Sequence, residues 1–226
     1  MIAEHVTLNG PAGPMDAYLT RLDDTPRPAV IVLEGVYGFD AEIRRITEQV
    51  ASAGYVGLAI DYLRGRPVEA VFDVTAVCDD VACARDWLNE QPFVRRGHIA
   101  TWGFGWGGTA AFVASSLPGL FAAISFYGQS IAVPLGTLTR APIDTIVDTV
   151  RTPLLLVFGG HDELIPAGAI ATISAKLTAH HKTFEVETYP DVGHSFFRED
   201  LGTLATRQIS AAWETVQAFL RRHAAT

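Results

Sequence analysis

Gly97-His98-Ile99-Ala100-Thr101-Trp102-Gly103-Phe104-Gly105-Trp106-Gly107-Gly108-Thr109 reads as a strand that runs into a glycine turn and out into a helix. The apolar run from Gly97 to Trp102 is strand-like, and the small and apolar residues from Thr109 to Ser116 suit a buried helix. Between them the turn has the G-x-S-x-G spacing of a nucleophile elbow, in which the central residue is forced into a strained conformation and the flanking glycines let the helix pack close behind the strand. Gly103 and Gly107 keep the flanking places. Gly105 stands in the centre, where serine or cysteine belongs. The same glycines also fit G-x-G-x-x-G through Gly108. A dinucleotide turn, however, belongs near the first strand with an acid after the next one, and here the next strand ends in Tyr127-Gly128.

Outward from the turn, strand-like runs alternate with helix-length segments, the pattern of βαβ units around a mainly parallel sheet. Upstream, Pro28–Glu34 is a buried strand, Ala41–Ala53 its helix, Tyr55–Ile60 the next strand, and Asp73–Asn89 a helix. Downstream lie strand Leu120–Tyr127, a Pro- and Thr-rich loop from Gln129 to Thr152 that could cover a site, strand Pro153–Phe158 and helix Pro166–Ala179. Strand Thr183–Tyr189 and a long helix, Leu201–Arg222, follow. At the start, Ile2–Leu8 and Met15–Thr20 flank Asn9-Gly10-Pro11-Ala12-Gly13 and read as an antiparallel hairpin at the sheet edge. With 226 residues and 49% apolar composition, a single α/β domain spanning residues 1–226 is expected.

The net charge of −8 argues against nucleic acid, because no basic cluster is available to replace phosphate counterions. No stretch approaches the roughly 20 apolar residues of a membrane span, and Met1-Ile2-Ala3-Glu4-His5 lacks the basic start of a secretory leader. A soluble cytoplasmic protein is expected, monomeric or homodimeric, with a small-molecule substrate. Cys78 and Cys83 lie on one helix at a spacing that suits neither a disulfide nor zinc, so they read as reduced packing residues. No ligand cluster or phosphate loop implies a metal or organic cofactor.

Chemistry-bearing residues gather where the parallel strands should end: Leu33-Glu34-Gly35-Val36-Tyr37-Gly38, the glycine turn, Gly159-Gly160-His161-Asp162, and Gly193-His194-Ser195-Phe196-Phe197-Arg198. Asp162 after one late strand and His194 after the next follow the chain order of nucleophile, acid and histidine used by α/β-hydrolase folds. Asp162 could instead cap the helix near Pro166, and Glu34 could serve only loop backbone. Ser195 and Ser125 are hydroxyls near the site, but neither lies on an elbow.

These segments together resemble the dienelactone hydrolases, small single-domain α/β-hydrolases that open unsaturated cyclic lactones through a Cys-His-Asp triad. The resemblance covers nearly the whole chain and implies the α/β-hydrolase fold. It assigns Asp162 and His194 as acid and base, and Glu34 as the glutamate that contacts the resting nucleophile. It further implies an oxyanion hole from the Gly35 and Trp106 N–H groups, and Arg198 as the grip on a substrate carboxylate. Arg64 or Arg66 corresponds loosely to a second arginine. Tyr37, Tyr127 and Phe196, with Phe39, Trp106 and Phe197, are candidates to line an apolar pocket.

The chain departs from the family at Gly105. Glycine has no heteroatom, so no acyl-enzyme can form there. What remains is a histidine oriented by a carboxylate, two N–H donors, a glutamate and a small void that could seat a water. Such a set can activate water or move a proton beside a carbonyl. Three explanations stand open: a natural site for non-covalent elimination, isomerisation, cyclisation or ring opening; an ordinary hydrolase whose Cys or Ser was changed to Gly; and a non-catalytic binding protein on the same fold.

Overall fold

The computed structural model describes residues 1–67, 72–134, 139–165, 167–199 and 206–225. The expected helix start at Pro166 and the expected start of the final helix at Leu201 lie outside these residues. The strands are β1 (Ile2–Gly10), β2 (Gly13–Arg21), β3 (Arg27–Leu33), β4 (Val56–Ile60), β5 (Val94–Phe104), β6 (Ala122–Phe126), β7 (Leu154–Gly159) and β8 (Phe184–Tyr189). The helices are α1 (Ala41–Ser52), α2 (Val74–Asn89), α3 (Trp106–Ala114), α4 (Pro142–Ile146), α5 (Ala167–Ala179) and α6 (Thr206–Ala224).

Among the described residues these eight strands form one sheet in the order β1-β2-β4-β3-β5-β6-β7-β8. β1 and β2 form the expected hairpin, β2 meets β4 antiparallel, and every later pairing is parallel. The strand order reverses at β3: β4 lies on one side of it and β5 on the other. Crossovers on either side of that point run in opposite directions and leave a crevice at the carboxyl ends, where open α/β sheets bind ligands. Glu34 and Gly35 follow β3 there, and Gly105 follows β5.

Side-chain alternation along β5 shows why both faces need helices. Trp102 stacks on Trp213 of α6, with ring centroids 5.4 Å apart and an interplanar angle of 13°. The next residue, Gly103, faces α3 instead. β3 from Ala29, β5 from Ile99, and β4, β6 and β7 throughout are consequently buried on both sides, which explains their apolar runs. Sequence-local chemistry sets the helix starts: Asp40 Oδ1 accepts the Ile43 N–H at 3.0 Å and Asp73 Oδ1 the Ala76 N–H at 2.9 Å, each an N-cap. Cys78 and Cys83 are free thiols. Cys78 packs on α3, its sulfur 3.9 Å from the Val113 carbonyl oxygen.

Two expectations need correction. α3 begins at Trp106 rather than at Thr109, because Gly107 and Gly108, which read as turn residues, lie inside the helix where it touches the sheet. The segment from Gln129 to Thr152 is not simply a loop, since α4 lies within it and starts with Pro142, which fits a first helical turn. Residues 135–138 of that segment are outside the described part. No helix among the described residues is long and apolar enough to cross a membrane.

Candidate active site

β5 ends at Phe104 and α3 begins at Trp106, so Gly105 alone makes the turn, with φ 56° and ψ −114°. Such backbone is costly for residues with a Cβ and persists where the surrounding structure over-determines it. Space is not the obstacle at this position. A Cβ on Gly105 would meet Gln129 Nε2 and His194 Nε2, each at 3.7 Å, in ordinary van der Waals contact. Its first side-chain atom would therefore face the imidazole. Gly107 differs: a Cβ there would lie 2.1 Å from the Leu33 carbonyl oxygen and 2.3 Å from that of Glu34. That contact makes α3 and β3 effectively backbone on backbone.

Asp162 follows β7 and His194 follows β8. Asp162 Oδ2 lies 2.8 Å from His194 Nδ1, and its Oδ1 accepts the Leu164 N–H at 2.9 Å. The carboxylate thus serves the histidine and a local turn at once; that turn, at Leu164, precedes α5, and the expected helix start at Pro166 lies outside the described residues. A buried carboxylate on Nδ1 keeps the proton on that nitrogen and leaves Nε2 as an acceptor. Gln129 meets it, with its side-chain amide nitrogen 2.8 Å from His194 Nε2. Sequence reasoning missed Gln129, treating it only as the start of a loop. The available signal was its place just after β6, the strand beside the elbow strand.

Gly35, Tyr37, Gly105, Tyr127, His194 and Arg198 are among the residues lining a cavity of about 20 Å³ over the turn, enough for one water by the rough 10–15 Å³ such a molecule needs. Tyr127 meets His194 edge-on with centroids 5.0 Å apart. Its hydroxyl is buried without a hydrogen-bond partner among the described residues, and burial pushes the phenol far above its ordinary range. Ser195 is part of the cavity wall, whereas Ser125 is buried in β6. The Trp106 N–H is the first of α3, whose N-cap supplies no side-chain acceptor. Helix-start N–H groups lack intrahelical partners and carry the positive end of the dipole. Gly35 and Trp106 are thus compatible with an oxyanion hole.

Glu34 goes elsewhere. It lines a second, larger cavity of about 470 Å³ with Gly38, Leu63, Arg66 and Pro67, separated from the first by Val36 and Tyr37, which border both. The residue is 0% exposed, and neither carboxyl oxygen has a well-formed hydrogen bond among the described residues, although the Asp61 carboxyl and the Leu63 amide lie close to it. Burial first, and then the neighbouring Asp61 carboxyl, push Glu34 up to about 9, opposed by the Leu63 amide. In the folded chain it is therefore an uncharged acid at neutral pH, whereas in the unfolded chain it ionises near its ordinary 4.5. The unfolded chain binds fewer protons between those values, so the Glu34 contribution to stability declines as pH rises from about 4.5 to about 9. Glu34→Gln removes that slope: its melting temperature gains on the parent's as pH rises through this window. Parallel melting curves against pH would show that Glu34 is charged in the fold.

The arginines also divide. Arg198 lines the first cavity, but its guanidinium is paired with Asp40 at 2.6 Å and stacks over Tyr37 at 4.3 Å. A substrate anion there would share it with Asp40. Arg64 corrects the expectation that it binds substrate. Both of its terminal nitrogens bond the buried Asp80, at 2.7 and 2.8 Å, and it also bonds backbone carbonyls of Pro14, Tyr62 and Gly13. Freeing this cation for a ligand would leave the Asp80 carboxylate buried without its partner. Arg66, the alternative, borders the Glu34 cavity. Phe196 and Phe197 are likewise core rather than lining, Phe196 packing on Phe126, Tyr127 and Tyr189. No group of three or more His, Cys, Asp and Glu among the described residues could hold a metal.

The sheet, elbow and loop order define an α/β-hydrolase-fold protein. Solved structures agree: a chain titled "Putative Dienelactone Hydrolase" from Klebsiella pneumoniae superimposes with a TM-score of 0.87 at 24% identity, covering 97% of this chain and 98% of that one. The sequence profile of the dienelactone hydrolase family matches residues 15–224, and the chain belongs to that family. Among curated relatives, an Escherichia coli protein named "Putative carboxymethylenebutenolidase" is 31% identical over 80% of this chain and 73% of its own length. A Bradyrhizobium protein named "Probable 2-oxo-3-(5-oxofuran-2-ylidene)propanoate lactonase" is 28% identical over 92% of this chain and 89% of its own length. The relatives' names are those of hydrolases.

Proposed function

We propose that this chain acts on a small lactone, or on an unsaturated carboxylate or ketone, by non-covalent acid–base chemistry centred on His194. The observation that carries the reading is the Asp162–His194 hydrogen bond, with His194 Nε2 facing the position a Gly105 side chain would take. A protein that only bound ligands would have no need of a buried carboxylate fixing the imidazole tautomer. In ring opening, a water in the cavity over Gly105 gives its proton to Nε2 as its oxygen attacks the lactone carbonyl. The Gly35 and Trp106 N–H groups hold the oxyanion, and the imidazolium returns its proton to the departing enolate oxygen. The same base can take a proton beside a carbonyl, with the same N–H pair holding the enolate. The relatives' lactonase and carboxymethylenebutenolidase names make ring opening of an unsaturated lactone the first reaction to assay.

His194→Ala is expected to abolish turnover of enol-lactones while leaving the circular dichroism spectrum and melting temperature close to the parent's. Turnover that survives this substitution would end the acid–base reading.

A further inference from the structure

Gln129 has no task in the chemistry above, yet its side chain occupies the one ring nitrogen that chemistry needs. We infer that Gln129 is a positioning residue for His194: its amide gives Nε2 the hydrogen bond that a hydroxyl or thiol at position 105 would otherwise give, and yields it when water or substrate enters. This rests on the acid–base reading of His194.

The geometry ties three atoms together. Gln129 Nε2 is 2.8 Å from His194 Nε2, and each lies 3.7 Å from the Cβ position of Gly105. The amide therefore flanks the missing nucleophile's space without filling it. In the tautomer that a carboxylate on Nδ1 favours, Nε2 offers a single lone pair, and the Gln129 amide N–H donates to it. A resting histidine so bonded at both nitrogens is fixed in tautomer and in direction.

The backbone that presents Gln129 is held firmly. The Tyr127 N–H donates to the Val157 carbonyl at 2.7 Å, and the Thr109 hydroxyl, on α3 itself, donates to the Gln129 carbonyl. Tyr127 at φ 39° and Ser130 at φ 57° both adopt left-handed backbone, as does Ser195 at φ 60° beside the histidine. Strain in non-glycine residues on both sides of one hydrogen bond is kept where the surrounding packing over-determines it. A half-buried glutamine that bonds whatever lies near is the plainer account, and it makes no claim on Nε2 reactivity.

The inference does make such a claim, because one lone pair cannot serve two protons. Gln129 and any group presenting a proton at the Gly105 position compete for Nε2. Once displaced, the amide becomes a donor beside the reacting carbon, which favours substrates carrying a carbonyl or carboxylate oxygen there.

A thiol placed at 105 reads this competition whether or not the variant turns over substrate. Alkylation by iodoacetamide at neutral pH is compared for Gly105→Cys and for Gly105→Cys with Gln129→Met, subtracting the parent's rate for Cys78 and Cys83. Removing the amide opens Nε2 to the thiol proton, raises the thiolate fraction and speeds alkylation roughly five- to tenfold, the worth of about one hydrogen bond. An equal or slower rate overturns the inference. In the chain with Gly105 intact, the ¹⁵N resonance of His194 Nε2 moves toward that of an unbonded ring nitrogen in Gln129→Met, while Nδ1 stays. An unmoved Nε2 resonance likewise overturns it. Neither readout depends on turnover, so failure here is distinct from failure of His194→Ala to abolish activity.

Discussion

Gly105→Cys hydrolyses an activated ester such as p-nitrophenyl acetate at least about a hundredfold faster than the parent, the scale on which triad members act together. The expectation follows from the space around the turn. The new Cβ meets only the tips of Gln129 and His194, both at 3.7 Å, and the sulfur beyond it approaches an imidazole already oriented by Asp162. The backbone cost is real: at φ 56° a side chain is strained by about 1–3 kcal/mol, so the variant melts lower than the parent while remaining folded. Strong activity in Gly105→Cys with little in the parent would place the chemistry of this framework in one missing atom. A folded variant with no gain would mean that the cavity has diverged from ester chemistry, and the hydrolytic form of the proposed function would fall.

Gly107→Ala is expected to prevent folding, two residues from a position that tolerates a side chain. The added carbon would lie 2.1 Å from one β3 carbonyl oxygen and 2.3 Å from the next, and neither backbone nor helix can move without opening the β3–β5 ladder. Overpacking of this severity exceeds about 4 kcal/mol, the range reserved for specific structural lesions. Thermal unfolding checks it, with Gly105→Ala as the control that strains one turn but folds. A cooperative melt for Gly107→Ala near the parent's temperature would mean that α3 does not pack against β3 as closely as described.

The two substitutions also show what a motif encodes. Gly103 and Gly107 are legible in sequence because close packing admits no other residue, and their spacing announces both the turn and its surroundings. Gly105 is legible only as a departure: the strained turn is recognised from its neighbours, and the missing heteroatom follows from the letter itself. Asp162 and His194 were readable from their order along the chain, because each ends a late strand and the sheet brings those ends together.

Long-range pairings were not readable. Arg198 bonds Asp40 across 158 positions and Gln129 bonds His194 across 65, and no local pattern in either segment names its partner. Arg64 was a substrate candidate only through a loose family resemblance, and the fold pairs it with Asp80, 16 positions on. Glu34 stands next to Gly35 in the chain, yet the two border different cavities, because adjacent residues after a strand turn opposite ways. By itself the sequence determined the periodicity of strands and helices, the hairpin, the caps, the elbow and the absence of a nucleophile at its centre, since each is a property of residues a few positions apart. The tertiary structure alone decided which polar group meets which. Charge neutralisation, burial and the single lone pair of His194 depend on distances that exist only once the sheet has placed the ends of β3, β5, β6, β7 and β8 side by side.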